Sequence, residues 1–275
     1  MTKASSGWLP VVLATLLTAC STTAPTTGIR LPPTAGSFDY QLGGVDDTRP
    51  LAVVVRDATA QPMPGAYDVC YVNGFQSQPD DGDRWLKRYG EAVLRDAGGT
   101  PVTDPDWPDE YVLDPSTERQ RTVILDVLEP LIADCAAKGF DAVEIDNFDT
   151  FTRFSDSATG RIDRSGAIAL ARSFADFAHD HGLAIGQKNA AEAVDAGRRE
   201  VGFDFAVAEE CAAYRECGRY TEVYGPHVLQ IEYTDNLPAP FSEVCDSPDR
   251  APVTILRDRN LVARGTEGHV YEQCP

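Results

Sequence analysis

Residues Gly139 to Phe151 read Gly-Phe-Asp-Ala-Val-Glu-Ile-Asp-Asn-Phe-Asp-Thr-Phe. The apolar start, Ala142–Ile145, has the length and composition of a buried strand, and Asp146, Asn147 and Asp149 crowd against its C-terminal end. Upstream, Ser116–Lys138 carries Val123, Leu125, Val127, Leu128, Leu131 and Ile132 at helical spacing; downstream, Ser165–His181 repeats that period. A buried strand between two amphipathic helices is the repeating unit of a parallel α/β fold.

The unit recurs along the chain. Strand-like runs occupy Phe38–Leu42, Leu51–Val55, Val69–Val72, Tyr111–Leu113, Ala142–Ile145, Leu183–Gly186, Phe203–Ala208, Val228–Tyr233 and Val253–Leu256. This is one run more than a closed (β/α)8 barrel needs. A Rossmann-type sheet would alternate in the same way, but no G-x-G-x-x-G follows an early strand and no Walker sequence is present. The expected architecture is therefore a single-domain α/β (β/α)8 TIM barrel. Polar residues follow four of the strands: Asp146, Asn147 and Asp149; Lys188 and Asn189; Glu209 and Glu210; Glu232, Tyr233 and Asp235. Any one such cluster reads more readily as a helix cap or a solvated loop. In a barrel, however, all strand C-termini converge on one face, so four clusters together predict a site.

The chain has 275 residues and a formal charge of −19, which excludes nucleic acid as a partner because clustered cations are lacking. Lys3 and the short apolar run Trp8–Leu17 read as a signal peptide over residues 1–19. Leu17-Thr18-Ala19-Cys20 resembles the lipobox of bacterial lipoproteins, so Cys20 is expected to carry lipid and hold an exported protein to the cell envelope. If Cys20 is not lipidated, the protein is secreted. Residues 20–36 have the Ser/Thr/Pro/Gly composition of a flexible tether, and residues 37–275 make the barrel, expected to be a monomer. Six further cysteines in an exported chain favour disulfides. Spacing does not fix their pairing, although Cys211–Cys217 would close a short loop and Cys245–Cys274 would fasten the C-terminal segment. Zinc is disfavoured because there is no C-x-x-C pair and the four His form no ligand-like cluster. Calcium at Asp141, Glu144, Asp146 and Asp149 lacks the EF-hand spacing. No cofactor or metal is expected.

The runs YDVCYVNG, WPDEYVLD, GFDAVEIDNFDTF, HGLAIGQKNAAE, FDFAVAEECAAYREC and VLQIEYTD resemble, in order, the motifs of glycoside hydrolase family 114, the endo-α-1,4-polygalactosaminidases. The resemblance spans residues 38 to 235. It implies a barrel that cleaves α-1,4-linked, partly de-N-acetylated galactosamine polymers within the chain. Such a polymer is polycationic, which gives the acidic composition a use in attracting it. The aspartate of the family's D-N motif falls on Asp146, the implied nucleophile. The glutamate two places before its cysteine falls on Glu209, the implied acid/base. Glu210 is the rival for that role, since a one-residue shift along a strand exchanges faces. Tyr40, Asp57, Tyr71, Glu144, Asn147, Asp149, Lys188, Asn189, Glu232 and Tyr233 are the implied walls of the cleft. Lys188 is at odds with a cationic substrate and is expected either to bond a carboxylate or hydroxyl there or to form an ion pair beneath the site. Ala208 stands where the family has Asn, and a donor beside Glu209 is expected to be missing. The resemblance favours retention, for which the two carboxyls would lie about 5 Å apart against roughly 6.5–9.5 Å for inversion. A catalytically silent carbohydrate-binding barrel is the second reading of the same sequence.

Overall fold

A computed structural model describes residues 1–2 and 28–275. Cys20 and nearly all of the expected signal peptide lie outside the described residues. Eight strands run parallel in sequence order: β1 (Phe38–Gln41), β2 (Val53–Asp57), β3 (Tyr67–Asn73), β4 (Ala142–Asp146), β5 (Ala184–Lys188), β6 (Phe205–Glu209), β7 (Val228–Tyr233) and β8 (Val253–Arg257). A ninth, β9 (Tyr271–Gln273), pairs antiparallel with β8. The result is a nearly closed TIM barrel in one domain.

Tyr111–Leu113 accounts for the surplus strand. It lies outside the barrel, in the long excursion between β3 and β4, and bridges antiparallel to Gln76, Val93 and Thr103. Alternating side chains mark an extended, half-buried segment but not the sheet it joins. That excursion also holds α1 (Gly82–Arg88) and then α2 (Glu118–Lys138). Thr117 and Gln120 close a reciprocal capping box at the start of α2, and Gly139 ends it at φ 95°, a conformation suited to glycine. The buried face of α2 is Ile124, Val127, Leu128, Ile132 and Cys135, whereas Leu131, expected there, is exposed. Helix α3 (Arg164–Asp180) is capped by Asp163, which accepts from the backbone N–H groups of Ser165 and Gly166. Gly166 lets α3 approach the chain before α2, since a Cβ there would lie 2.4 Å from the Pro115 carbonyl oxygen. No helix joins β1 to β2 or β2 to β3.

Apolar side chains form two layers. One fills the barrel, with Val55, Val69, Val207, Leu229, Ile231 and Ile255 among its members; the other lies between strands and helices. The seam between β8 and β1 has no strand ladder and is held by side chains instead. The buried Arg257 guanidinium donates to Asp39 and to the Tyr40 carbonyl at 2.5 Å each, and to the Val262 and Val270 carbonyls. Gln273 accepts from the Phe38 N–H, and the Tyr271 hydroxyl donates to the Phe38 carbonyl. Residues 28–36, assigned to the tether, lie along the opposite, N-terminal end of the barrel. There the Tyr67 hydroxyl donates to the Arg30 carbonyl, His227 meets the Pro32 carbonyl, and Ile29 and Leu31 pack on the barrel core.

Disulfides join Cys70 to Cys135, Cys211 to Cys217 and Cys245 to Cys274. The first ties β3 to α2. Among the described residues, no helix is long and apolar enough to cross a membrane.

Candidate active site

Side chains of alternate residues enter the barrel, so each inward position is fixed by strand parity. At the C-terminal ends this parity brings together Tyr71 and Asn73 from β3, Glu144 and Asp146 from β4, Lys188 from β5, Glu209 from β6 and Tyr233 from β7. The Lys188 ammonium is 3% exposed and stands at the centre, 3.4 Å from Glu144, 3.6 Å from Asp146 and 3.1 Å from Glu209, and it donates to the Tyr40 hydroxyl at 3.0 Å. Burial opposes its charge, but the surrounding carboxylates of Asp146, Glu209 and Glu144 outweigh burial and hold the lysine pKa well above the ordinary value. Lys188 therefore bonds carboxylates and a hydroxyl, one of the outcomes expected from sequence.

The two carboxyls expected to form the catalytic pair, Asp146 and Glu209, are each oriented by further donors. Asp146 Oδ2 accepts from the Tyr71 hydroxyl at 2.7 Å, and Oδ1 from the Asn147 backbone N–H at 2.7 Å. Glu209 Oε1 accepts from the Tyr233 hydroxyl at 2.5 Å, and Oε2 from Asn189 Nδ2 at 3.1 Å. Burial pushes the Glu209 carboxyl up, but Lys188, Tyr233 and Asn189 together bring it below the ordinary glutamate value. Ala208 faces away from the site into the layer beneath the helices, so an asparagine there could not serve Glu209 by strand parity; the donor comes from Asn189 on the neighbouring strand end.

Glu144 sits one layer deeper, without exposure, accepting from the Tyr40 hydroxyl at 2.7 Å. Its second oxygen has no hydrogen-bond partner among the described residues. Burial raises this carboxyl to about 7 against the pull of Lys188. Asn147 donates to Asn73 and accepts from Arg153, and Asp149 pairs with Arg153, so both line the rim beside Asp146.

Three strands end in the same way. Asn147, Asn189 and Glu210, each immediately after a site residue, adopt positive φ of 64°, 50° and 56°. The chain thus leaves the barrel at once, and left-handed backbone at a glutamate costs roughly 1–2 kcal/mol. At Glu210 this turn is held by a bidentate ion pair from Arg259, at 2.9 and 2.6 Å, and by Asn236. Glu210 is thereby drawn to the outer rim, and Glu209 is the glutamate that meets Lys188.

Two expected wall residues fall elsewhere. Glu232 is fully buried outside the barrel, accepting from the Ala212 N–H and from Gln230, because its neighbour Tyr233 takes the inward position. Asp57 stands at the mouth, but its carboxylate caps its own turn, accepting from the Thr59 N–H and hydroxyl. The acidic set considered for calcium is split: Asp141 immediately precedes β4, at the far end from Asp146, and pairs with Arg30. Cys211, Cys217 and Glu232 lie close together, yet both sulfurs are spent in a disulfide. Sequence reading missed Asn73 and Arg153, although the parity of β3 marks Asn73 as inward.

A barrel with oriented carboxyls gathered at its strand C-termini fits the two-carboxyl chemistry of glycoside cleavage. The family model described as Glycoside-hydrolase family GH114 matches residues 18–275, and the chain belongs to that family; it is a glycoside hydrolase. Among solved structures, it resembles Aspergillus fumigatus Ega3 in complex with galactosamine, with a TM-score of 0.68 and 20% identity over 91% of this chain and 100% of that one. The Thermus thermophilus α-galactosidase TtGalA in complex with stachyose aligns with a TM-score of 0.48 and 15% identity, covering 86% of this chain and 64% of that one. The likeness to Ega3 at this identity speaks for the fold. No curated protein sequence matches the chain.

Proposed function

We propose that this glycoside hydrolase cuts α-1,4-linked, partly de-N-acetylated galactosamine polymers internally, using Asp146 and Glu209 with retention of configuration. The observation that carries the pair is the shared ammonium. Asp146 Oδ2 and Glu209 Oε2 both touch Lys188 Nζ, at 3.6 and 3.1 Å, and two contacts on one nitrogen keep these oxygens from lying much beyond the roughly 6.5 Å at which inverting pairs begin. Asp146 attacks the anomeric carbon as the Glu209 proton passes to the departing glycosidic oxygen. Glu209 then takes a proton from water, whose oxygen displaces Asp146 from the sugar. Tyr71, Tyr233 and Asn189 aim the two carboxyls, and Lys188 holds them in register. The net charge of −19 favours a cationic polymer, and the galactosamine bound by Ega3 supports an aminosugar substrate here.

The protein acts outside the cytoplasm, on this reading, as a monomer anchored by lipid at Cys20. The test is mass spectrometry of products after incubating the chain from Thr22 onward with partly de-N-acetylated α-1,4-galactosaminan. Short galactosamine oligomers are expected, with their anomeric configuration retained on initial release when followed by proton NMR, and Asp146→Asn and Glu209→Gln should each abolish them. Full turnover by both variants, or no products from the wild type, would overturn the reading.

A further inference from the structure

One segment of the sequence, Trp107-Pro-Asp-Glu110, is absorbed neither by the barrel nor by the carboxyl pair. It forms a tight turn in the excursion after β3, closed by the Glu110 N–H donating to the Trp107 carbonyl at 2.9 Å. The turn is pinned from below. Asp104, without exposure, donates its N–H to the Glu110 carbonyl and accepts from Gln76 at 2.6 Å and Arg153 at 2.5 Å. Arg153 also holds Asn147, so the turn and the residue after Asp146 share one clamp.

The two ends of this turn carry unlike groups. Trp107 is 59% exposed, an uncommon state for so large an apolar ring. Glu110 is half-buried; its Oε2 accepts from Asn73 Nδ2 at 2.9 Å, and Asn73 is the register partner of Asp146. Among the described residues, no side chain donates to the other oxygen, Oε1. The nearby cation, Arg153, is committed to Asp104, Asp149 and Asn147. Burial, followed by the charge of Asp146, raises the Glu110 carboxyl to about 7 against the hydrogen bond from Asn73. A second, positive partner would relieve both.

We infer that the 104–110 turn is an aminosugar subsite beside the reaction centre, in which Glu110 Oε1 accepts from the sugar ammonium and the Trp107 indole provides a face for a pyranose ring. This rests on the proposed function and deepens it by naming the residues that distinguish a free amine from an acetamide. A carboxylate gains a charge-assisted bond from the first and loses it with the second, while the ring contact serves both.

Glu110→Gln keeps an acceptor for Asn73 and removes the charge. On de-N-acetylated oligomers it should raise KM about tenfold with kcat within twofold, while KM for N-acetylated oligomers stays the same or falls. Trp107→Ala should raise KM severalfold on both. The same contrast should appear calorimetrically when galactosamine oligomers are titrated into Asp146→Asn with and without Glu110→Gln, where no turnover is needed. An equal effect of Glu110→Gln on both substrates, a loss confined to kcat, or unchanged binding would overturn the subsite. Glu110-dependent binding without turnover by the wild type would instead refute the proposed cleavage and leave the subsite standing.

Discussion

Replacing Lys188 with methionine removes the ammonium from the carboxylate cluster while keeping most of the side chain's length. At separations of 3.1–3.6 Å and an effective dielectric of about 20, each ion pair with Glu209, Glu144 and Asp146 is worth roughly 5 kcal/mol before desolvation. The net loss is smaller, because the ammonium no longer has to be buried. Stranding buried carboxylates in this way costs about 3–5 kcal/mol. The orphaned carboxyls can escape part of that cost by taking up protons, which makes the loss depend on pH. In Lys188→Met, the folded state holds more protons than the unfolded one through neutral pH, so its stability falls as pH rises. Urea unfolding at pH 8 should show a deficit of about 3–5 kcal/mol against wild type, shrinking to less than half at pH 5. A deficit under about 1 kcal/mol at both values, or one equal at both, would refute the picture of a buried ammonium balancing three carboxylates.

Further outcomes follow from other residues. The carboxyls of Glu144 and Glu110, raised to about 7, and of Asp68, raised to about 6, bind protons more tightly in the folded chain than in the unfolded one. Stability is therefore lost as pH rises from the ordinary carboxyl range through those values, and Tm should drop between pH 5 and pH 7.5; Glu144→Gln should flatten that slope. Glu209, held below its ordinary value, keeps its proton only in acid, so with Glu209 as the acid kcat/KM should decline as pH rises from an acidic optimum. A profile flat to pH 8 would move the acid role to another group. Glu210→Gln, which loosens an ion pair on the rim, should leave kcat within about tenfold, in contrast to Glu209→Gln. At the seam, Arg257→Met takes one donor from the buried Asp39, which keeps Arg49 and Gln41, and the guanidinium bonds of three carbonyls, and should cost at least about 1–3 kcal/mol by chemical denaturation.

The stretch around Asp146 was legible because burial writes itself into composition. A strand covered on both faces is mostly apolar, so a cluster of polar residues marks its end, and the same rule found Lys188 and Glu209, with the buried Glu144 as the exception inside β4. Helices α2 and α3 announced themselves by period, and their starts at the Thr117 and Asp163 caps fall within two residues of the periodic runs. Parity along β7 also held information: Glu232 and Tyr233, as neighbours, cannot both face inward, and the apolar Leu229 and Ile231 already mark the phase that selects Tyr233.

Other decisions depend on partners distant in the chain. Nothing local to Tyr111–Leu113 tells that it bridges to Gln76 and Val93 and not to a barrel strand. Glu209 and Glu210 are chemically alike, and what separates them is Arg259, drawn in from beyond β8, together with a backbone that turns left-handed at Glu210. Lys188 finds its three carboxylates only when β4, β5 and β6 lie side by side, and Arg257 meets Asp39 only when the last parallel strand comes round to the first. The sequence by itself determined which segments must be buried and where each strand surfaces, because the transfer of apolar side chains from water is a property of each residue and its near neighbours. The tertiary structure alone decided which charges face one another, because an ion pair depends on a distance through space that covalent order does not set.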